Sequence, residues 1–234
     1  MKKINFLLGG ALIVNAINVN AAEIKSYISG KTNYSYFDSK TKLELTSSVA
    51  APEYVNLGTI GLKQHGYKVA TGLVRDALRV EIEFGSEDEL VKELYLHNSP
   101  SQVRNIHASI KNQTTLLNLY YDVEFTKEIG AYLTLGYGFS HLKLNISYSS
   151  DNGDQIKYDP VLRSDEYKSI YQLGLGFSVK LSEKTTLDIG YRYYDLGNID
   201  VSTEFILIPN KPAKAVSNIE LKGSEFALGV RYNF

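Results

Sequence analysis

The 234-residue sequence has no cysteine, no tryptophan and a single methionine. Without cysteine, a disulfide framework is excluded. Only one obvious apolar run is present, which argues against a helical membrane protein. The 25 basic side chains nearly balance 26 acidic ones, so the usual electrostatic argument for a nucleic-acid partner is missing. With 44% hydrophobic and 22% charged residues, the chain is neither wholly disordered nor collagen-like. Its 18 tyrosines and 18 glycines instead indicate aromatic-rich strands.

The one apolar run lies at the N-terminus and is typical of an export signal. Two lysines precede the apolar stretch 4–14, which is too short to span a bilayer comfortably. Small residues then predict cleavage before Ala22. A buried helix is the alternative interpretation, but the order of charge, apolar run and small residues favours a signal. We therefore expect a signal peptide at residues 1–21 and an exported mature domain at residues 22–234.

Eight segments of the mature chain alternate between apolar residues and small or polar ones. The clearest is C-terminal, where the even positions from Phe226 to Phe234 are aromatic or aliphatic and the odd positions are small or charged. A period of two is typical of strands with one apolar face. The segments are 24–37, 67–74, 78–84, 117–123, 133–139, 171–179, 187–193 and 225–234.

The connectors between these segments alternate in length. Short turns are expected at 75–77, 125–130 and 182–184. Longer polar loops are expected at 38–58, 96–107, 149–166 and 202–220. Short turns at one end and long loops at the other are the layout of an outer-membrane barrel, with both termini on the periplasmic side. The sequence therefore predicts an all-β fold, namely an eight-stranded antiparallel up-and-down transmembrane β-barrel.

A membrane barrel and a soluble lipocalin-like barrel differ in which face of their strands contacts water. In the soluble barrel the apolar face lines a cavity, whereas in the membrane barrel it faces lipid. The polar face is rich in glycine, which suits the crowded interior of a small barrel. These glycines are Gly72, Gly136, Gly138, Gly174, Gly176, Gly190 and Gly229. Tyrosine and phenylalanine lie on the apolar face towards strand ends, as an interfacial girdle requires. Both features favour the apolar face towards outer-membrane lipid.

Five segments together carry a family resemblance. They are LRVEIEFG (78–85), LLNLYYDVE (116–124), AYLTLGYGFSHL (131–142), YQLGLGFSVKLSEKTTLDIGYRYYDLG (171–197) and the terminal LGVRYNF. In this order they resemble the Opa (opacity) type outer-membrane β-barrel family, whereas the long loops match nothing. The resemblance implies an eight-stranded, OmpA-like barrel in the bacterial outer membrane. It also implies that Val230, Tyr232 and Phe234 are recognised by the barrel-assembly machinery.

The same resemblance bears on function. Family members are often labelled porins, and the best-known ones act as surface adhesins through variable loops. It therefore implies a host or extracellular ligand for the loops at 38–58, 96–107, 149–166 and 202–220. The apolar run 205–209 in the last loop could either pack over the barrel mouth or meet a partner.

Charges of both signs lie on the face expected to point inward. They are Arg79, Glu81, Glu83, Asp122, Lys180, Asp188, Arg192, Glu225 and Arg231. Unpaired charges inside a barrel are strongly destabilising, so we expect Arg79 and Arg231 to have carboxylate partners, with Glu81, Glu83 and Asp188 as candidates. The set is either a plug that rigidifies the barrel or the filter of a gated pore. Because eight strands leave an interior just wide enough for side chains, the plug is favoured.

Catalytic motifs are scarce. The four histidines form no HExxH or similar metal-binding spacing. His107-Ala108-Ser109 is a faint match to a lipid A deacylase-like arrangement, without that family's C-terminal context or a G-x-S-x-G elbow. We expect no enzyme, no metal and no cofactor. A structural or adhesive surface barrel is the first hypothesis, a narrow porin the second and a lipid-modifying enzyme the third.

Overall fold

Strands make up almost all of the protein. The computed structural model describes the backbone of residues 24–47, 53–99, 102–150, 159–208 and 211–234, and side chains within 24–38, 61, 63–89, 109–145, 164–198 and 221–234. The elements are β1 (Lys25–Ser47), β2 (Glu53–Arg75), β3 (Leu78–Glu87), β4 (Leu90–Ser99), β5 (Gln102–Glu124), β6 (Ile129–Ser150), β7 (Asp159–Lys180), β8 (Thr185–Ile208) and β9 (Lys211–Asn233). Within these ranges, no helix is long and apolar enough to cross a membrane. The predicted signal peptide lies outside the described residues.

The sheet closes on itself as an eight-stranded barrel. Each strand pairs antiparallel with its neighbours in the order β3-β2-β1-β9-β8-β7-β6-β5-β4. β3 and β4 both pair with β5, so they are one strand interrupted at Asp88 and Glu89. β3 also pairs with β2, which closes the ring and leaves no free edge at that level. The predicted fold class is confirmed.

The alternation along each strand places the apolar face outside. Leu117, Leu133 and Leu173 are each more than half exposed. Their sequence neighbours Asn118 and Gln172 point inward and are buried. A continuous apolar outer band with a polar interior is the arrangement of a membrane barrel, the opposite of a lipocalin.

Short turns connect the strands at the periplasmic end. In the turn after β5, the Thr126 hydroxyl accepts hydrogen bonds from the backbone N–H groups of Glu128 and Ile129, at 3.2 and 3.0 Å. Ser182 does the same for the backbone N–H groups of Lys184 and of Thr185, the first residue of β8. Such hydroxyl-capped turns explain why these connectors need so few residues.

The four predicted long loops are mostly strand, and this part of the prediction is wrong. β1 continues through Ser47, and β2 begins at Glu53, inside the predicted loop 38–58. The loops at 96–107, 149–166 and 202–220 are likewise occupied largely by the ends of β4 to β9. The strands are 22–24 residues long apart from the interrupted one, whereas about 9–11 residues span a membrane. Beyond the membrane no face must be apolar, so the alternation fades while the hydrogen-bonded ladder continues.

Above the apolar band the barrel wall divides into two sheets. The last described pair between β7 and β8 is Tyr171 with Asp195, and the last between β2 and β3 is Gly66 with Glu87. Further from the membrane, β2, β1, β9 and β8 stay paired as one sheet, and β4, β5, β6 and β7 as another.

A bulge in β8 lies at this division. The register between β8 and β9 shifts between Asp195 and Asn198, and Gly197 between them has a φ of 71°. The Gly197 N–H donates a hydrogen bond of 2.9 Å to the Asp195 carboxylate. Bulges with a left-handed glycine bend a strand and increase its twist. The bulge therefore directs the outer half of β8 away from β7.

An apolar cluster fills the space between the two sheets, and we call it the apolar cap. Its members are Phe37, Leu116, Leu142, Leu144, Ile170, Tyr194, Leu196 and Leu221, with Ile110 packed against them. Both sheets contribute to it, as in a two-layer sandwich. The interior is therefore charged within the membrane, and above it the apolar cap lies beside buried polar residues such as Gln64, Asn112 and Ser140.

Candidate functional site

The centre of the lumen is organised around Glu83, which is fully buried on β3. Its carboxylate accepts a hydrogen bond of 2.5 Å from Lys31 of β1 and two, of 2.7 and 3.1 Å, from Arg192 of β8. Lys68 of β2 lies 3.8 Å away. Glu83 therefore joins three strands through charge-assisted hydrogen bonds, which are the strong kind.

Glu81 forms a second junction, one step towards the periplasm on the same face of β3. It accepts hydrogen bonds from Lys31 at 2.7 Å and from the hydroxyls of Tyr120 and Tyr27 at 2.8 and 3.0 Å. The amide of Asn118 is a further donor at 3.3 Å. Lys31 thus bridges Glu81 and Glu83 across the lumen.

Glu225 of β9 is a further buried carboxylate at the centre of the lumen. It is ion-paired with Lys68, and the Tyr194 hydroxyl donates to it at 3.3 Å. Lys68 also donates to the Tyr194 hydroxyl at 2.8 Å. Because Tyr194 belongs to the apolar cap as well, it connects the charged interior to the apolar one.

Two arginines close the periplasmic side of the network. Arg79 binds Asp122 with two hydrogen bonds, of 2.6 and 2.8 Å, and its guanidinium lies 4.2 Å from the centre of the Tyr120 ring. Arg231 lies 3.2 Å from Asp188, which also accepts a hydrogen bond of 2.7 Å from Ser178. The predicted group of Arg79, Glu81, Glu83, Asp122, Asp188, Arg192 and Arg231 is thus brought together in one lumen. Asp188, one of the expected partners, pairs with Arg231 and lies 3.9 Å from Arg79, whereas the hydrogen bonds of Arg79 go to Asp122.

Two central cations are missing from the sequence-based set. Lys31 and Lys68 are both buried and each contacts two glutamates. Lys31 shares the inward face of β1 with Tyr27 and Ser29, and Lys68 shares that of β2 with Gln64 and Ala70, which is the signal that could have identified them. Lys180, in contrast, is no part of the network, since it is half-exposed at the periplasmic rim and pairs with Glu124 at 2.6 Å.

Glycines on the inward face make room for large side chains of the network. A β-carbon on Gly72 would lie 2.6 Å from the Tyr27 ring, and one on Gly174 would lie 2.8 Å from the Arg192 side chain. Tyr132 covers both Gly176 and Gly190. The high glycine content therefore reflects a filled lumen.

Replacing Gly190 with alanine is expected to destabilise the barrel by about 1–3 kcal/mol, because overpacking forces neighbours to move. The added β-carbon would lie 2.5 Å from the Tyr132 hydroxyl, and the next nearest atom is 3.5 Å away. Tyr132→Phe in the same chain should therefore restore most of the loss. Denaturant unfolding in lipid vesicles measures both.

Gly176 provides the matched control for this rescue. A β-carbon there would collide with the Ile189 carbonyl oxygen as well as with the ring of Tyr132. Removing one hydroxyl cannot relieve a backbone clash, so Tyr132→Phe should not rescue Gly176→Ala. Equal rescue of both variants would contradict the packing described here.

The periplasmic mouth of the barrel is an open vestibule. It forms a cavity of about 730 Å³ whose lining includes Lys25, Glu124 and Lys180 at the rim, and Asp122 and Arg231 deeper in. Since the last two belong to the charge network, the vestibule reaches the network. Beyond them, Glu81, Glu83, Arg192 and Glu225 are at most 2% exposed, so water does not reach the central groups from either end.

The other residues singled out by the sequence lie elsewhere. Ser109 is buried at 6% exposure, and the side chain of His107 lies outside the described residues. Val230, Tyr232 and Phe234 are exposed on the outer face of β9, with the rings of Tyr232 and Phe234 packed edge to face at 5.5 Å. The C-terminal strand also closes the barrel, since the Phe234 N–H donates to the Ser26 carbonyl at 2.9 Å.

A polar cluster marks the extracellular end of the apolar band on β6 and β7. His141 is hydrogen-bonded to Asp165 and stacks on Tyr167, with 4.3 Å between ring centres. Lys143 lies 3.3 Å from the same carboxylate. The hydrogen bond from His141, followed by that from Lys143, lowers the pKa of Asp165.

This lowered pKa predicts a pH dependence. Ionised Asp165 stabilises the folded state above its unfolded-state pKa, and that contribution is lost as the pH falls through the folded-state value. Carboxyl NMR titration should place the pKa of Asp165 below its ordinary 3.8, and His141→Phe should move it back up. A titration unchanged by that substitution would contradict the assigned cause.

Comparisons with known proteins agree with this architecture. A family model described as an outer membrane protein beta-barrel domain matches residues 6–234. The outer membrane protein PagN of Salmonella typhimurium is 25% identical over 140 residues, which cover 55% of this chain and 54% of PagN. The match therefore spans about half the length of that curated relative.

Solved structures of outer-membrane proteins are also similar to this chain. OprG of Pseudomonas aeruginosa aligns with a TM-score of 0.50 at 13% identity, covering 91% of this chain and 98% of OprG. Ail, the attachment invasion locus protein of Yersinia pestis, aligns with a TM-score of 0.40 at 14% identity, covering 88% and 98%. At such identity the OprG likeness shows the fold alone. With the family match, the apolar outer band and the closed sheet, the protein is assigned to the bacterial outer membrane. The chain belongs to the outer membrane protein beta-barrel domain family.

Proposed function

We propose that the protein is a surface-exposed outer-membrane barrel of the opacity type, with a structural and adhesive role carried by its extracellular hairpins. The observation that carries the proposal is the filled interior. The charge network occupies the membrane-spanning part, and the apolar cap occupies the part above it. A lumen filled at two levels supports a role for the outer surface of the barrel rather than transport of solutes through its lumen.

The extracellular strand ends support the adhesive role by their reach. β5 and β6 remain paired as far as Arg104 and Ser150. From Thr115, at the end of the apolar band, β5 runs back to Gln102, which is about 40 Å along a strand. The described strand ends thereby extend well beyond the membrane from a packed base, and recognition residues are usually found in such exposed parts of a fold.

The two alternatives draw less support from the geometry. A narrow porin needs a path past Glu83 and Arg192, which are 0% and 2% exposed. A lipid-modifying enzyme needs an accessible nucleophile, whereas Ser109 is buried. Our proposal therefore assigns the protein no catalytic residue, cofactor or metal.

Export and assembly complete the proposal. Residues 1–21 would be removed as a signal peptide, leaving 22–234 as the barrel. Val230, Tyr232 and Phe234 would serve the barrel-assembly machinery, and their exposure on the outer face of the closing strand is compatible with recognition before membrane insertion.

Shortening the hairpin tips tests the adhesive role. Residues 47–53, 99–102, 150–159 and 208–211 would each be replaced by Asn-Gly, a pair that favours tight hairpin turns. The apolar cap and the charge network stay intact. Bacteria displaying the shortened chain should adhere less to epithelial cells. Replacing the periplasmic turn Asp76-Ala77 with Asn-Gly is the matched control. Full adherence by a correctly assembled four-tip variant would overturn the proposal.

A further inference from the structure

The outer face of β5 and β6 changes from apolar to basic at one height. Thr115 and Phe139 are opposite each other at the end of the apolar band, followed by Gln113 with His141. The next outward pair is Lys111 with Lys143. The lysines lie four residues beyond the apolar band, about 13 Å along a tilted strand. That places them level with lipid headgroups.

Two lysines directly opposite each other on neighbouring strands repel, which is destabilising in a sheet. Asp165 offsets only one of them, since it lies 3.3 Å from Lys143 and is shared with His141. Lys111 is exposed, and although Glu89 adjoins it through the pairing of Leu90 with Ile110, no ion pair joins Lys111 to a carboxylate in the described part of the chain. The pair therefore carries net positive charge beside the membrane surface.

On the opposite side of the barrel, the outer face carries a different charge at the same height. There Lys222 of β9 stands between two acidic residues, with Asp195 of β8 on one side and Asp38 of β1 on the other. The Lys222 ammonium lies 4.0 Å from Asp195. The described outer rim is thus basic on β5 and β6 and acidic on β8, β9 and β1.

We propose that Lys111 and Lys143 bind a phosphate group on the headgroup of an outer-leaflet lipid. A lipid is the expected ligand because the lysines directly adjoin the lipid-facing band. Acyl chains cover Leu117 and Phe139 just below, which brings the headgroup of the same lipid to the lysines. Lysine is a strong point charge for phosphate, and its apolar stem can extend along the strand surface. Gln113 is exposed one outward pair below Lys111, and its amide can donate a hydrogen bond to the same group.

Binding of a phosphorylated glycolipid tests this site directly. The full mature chain in detergent micelles would be titrated with lipid A and with enzymatically dephosphorylated lipid A, followed by native mass spectrometry. Lys111→Gln and Lys143→Gln should each weaken lipid A binding about fivefold, the effect expected for one lysine near an anionic lipid surface. Lys222→Gln removes the same charge at the same height and should leave binding unchanged.

Three outcomes would overturn the proposal. One is equal lipid A affinity for the native chain and the Lys111→Gln, Lys143→Gln double variant. Another is equal affinity for lipid A with and without phosphate. Displacement of the lipid by inorganic phosphate alone would show a general anion site instead. Because both lysines are exposed, the variants should still fold, and a heat-dependent gel shift verifies this independently of binding.

Discussion

Replacing Glu83 with glutamine is expected to destabilise the barrel by about 3–5 kcal/mol, the cost of leaving buried charges without their partner. The carboxylate is fully buried and neutralises Lys31 at 2.5 Å and Arg192 at 2.7 Å, with Lys68 at 3.8 Å. Glutamine keeps the shape of the side chain but removes its charge. Lys31 would keep Glu81 and Lys68 would keep Glu225, but Arg192 would lose its hydrogen-bonded carboxylate in an interior that water does not reach.

Unfolding in lipid vesicles, followed by circular dichroism or gel mobility, measures this effect; the chain has no tryptophan for fluorescence. Glu124→Gln is the matched control, because it removes the same charge from a pair with Lys180 that is largely exposed. Exposed pairs contribute at most about 1 kcal/mol.

A double variant, Glu83→Met with Arg192→Met, should recover part of the loss. Equal stability of the Glu83→Gln and Glu124→Gln variants would contradict a network that holds the barrel together.

Ile170→Ala should destabilise the extracellular half by about 2–5 kcal/mol, the usual range for removing a buried aliphatic side chain. Ile170 is fully buried in the apolar cap, together with Leu116 and Leu196 from other strands. A cavity there weakens the contact between the two sheets above the membrane. The charge network below should be little affected.

Amide hydrogen exchange measures the stability of the extracellular half and of the membrane-spanning half separately. In the Ile170→Ala variant, amides of β6 and β7 beyond the apolar band should exchange faster, while those within the band keep their protection. Ser169→Ala, at the adjacent outward position, is the control and should leave the exchange rates unchanged. Equal protection in the Ile170→Ala and Ser169→Ala variants would mean that the two sheets do not depend on the cap.

The barrel itself is readable from the sequence because the membrane imposes a strict pattern. Along β9, every outward position from Phe226 to Tyr232 meets lipid, and every inward one meets the crowded lumen. Such segments predict the number of strands, their direction and the sign of each face. The same alternation identifies Arg79, Glu83 and Arg192 as inward-facing residues.

Where the pattern weakens, prediction fails for physical reasons. On β1 the inward Tyr27 looks apolar, and the outward Gly30 and Thr32 do not, so the alternation is blurred and Lys31 is missed. The sequence also does not show which inward-facing charges pair with each other. Arg79 meets Asp122 from another strand because of the register between β3 and β5, which no local pattern encodes.

The extracellular half escapes prediction for a different reason. Outside the membrane, strands need not alternate, so polar segments such as 38–47 resemble loops even though they continue β1. The apolar cap is assembled from single residues on several strands, among them Phe37, Leu142 and Leu221. Gly197, the left-handed residue of the bulge, lies at the division of the wall.

The central claim is that the lumen is sealed by the charge network within the membrane and by the apolar cap above it. Single-channel recording of the purified mature chain in a planar bilayer tests this most directly. We expect no stepwise conductance from the native barrel and none from Ile170→Ala, in which the charge network still blocks the membrane-spanning part. Stepwise, ion-selective conductance that disappears or changes selectivity on substitution of Glu83 or Arg192 would show an open filter and contradict the account.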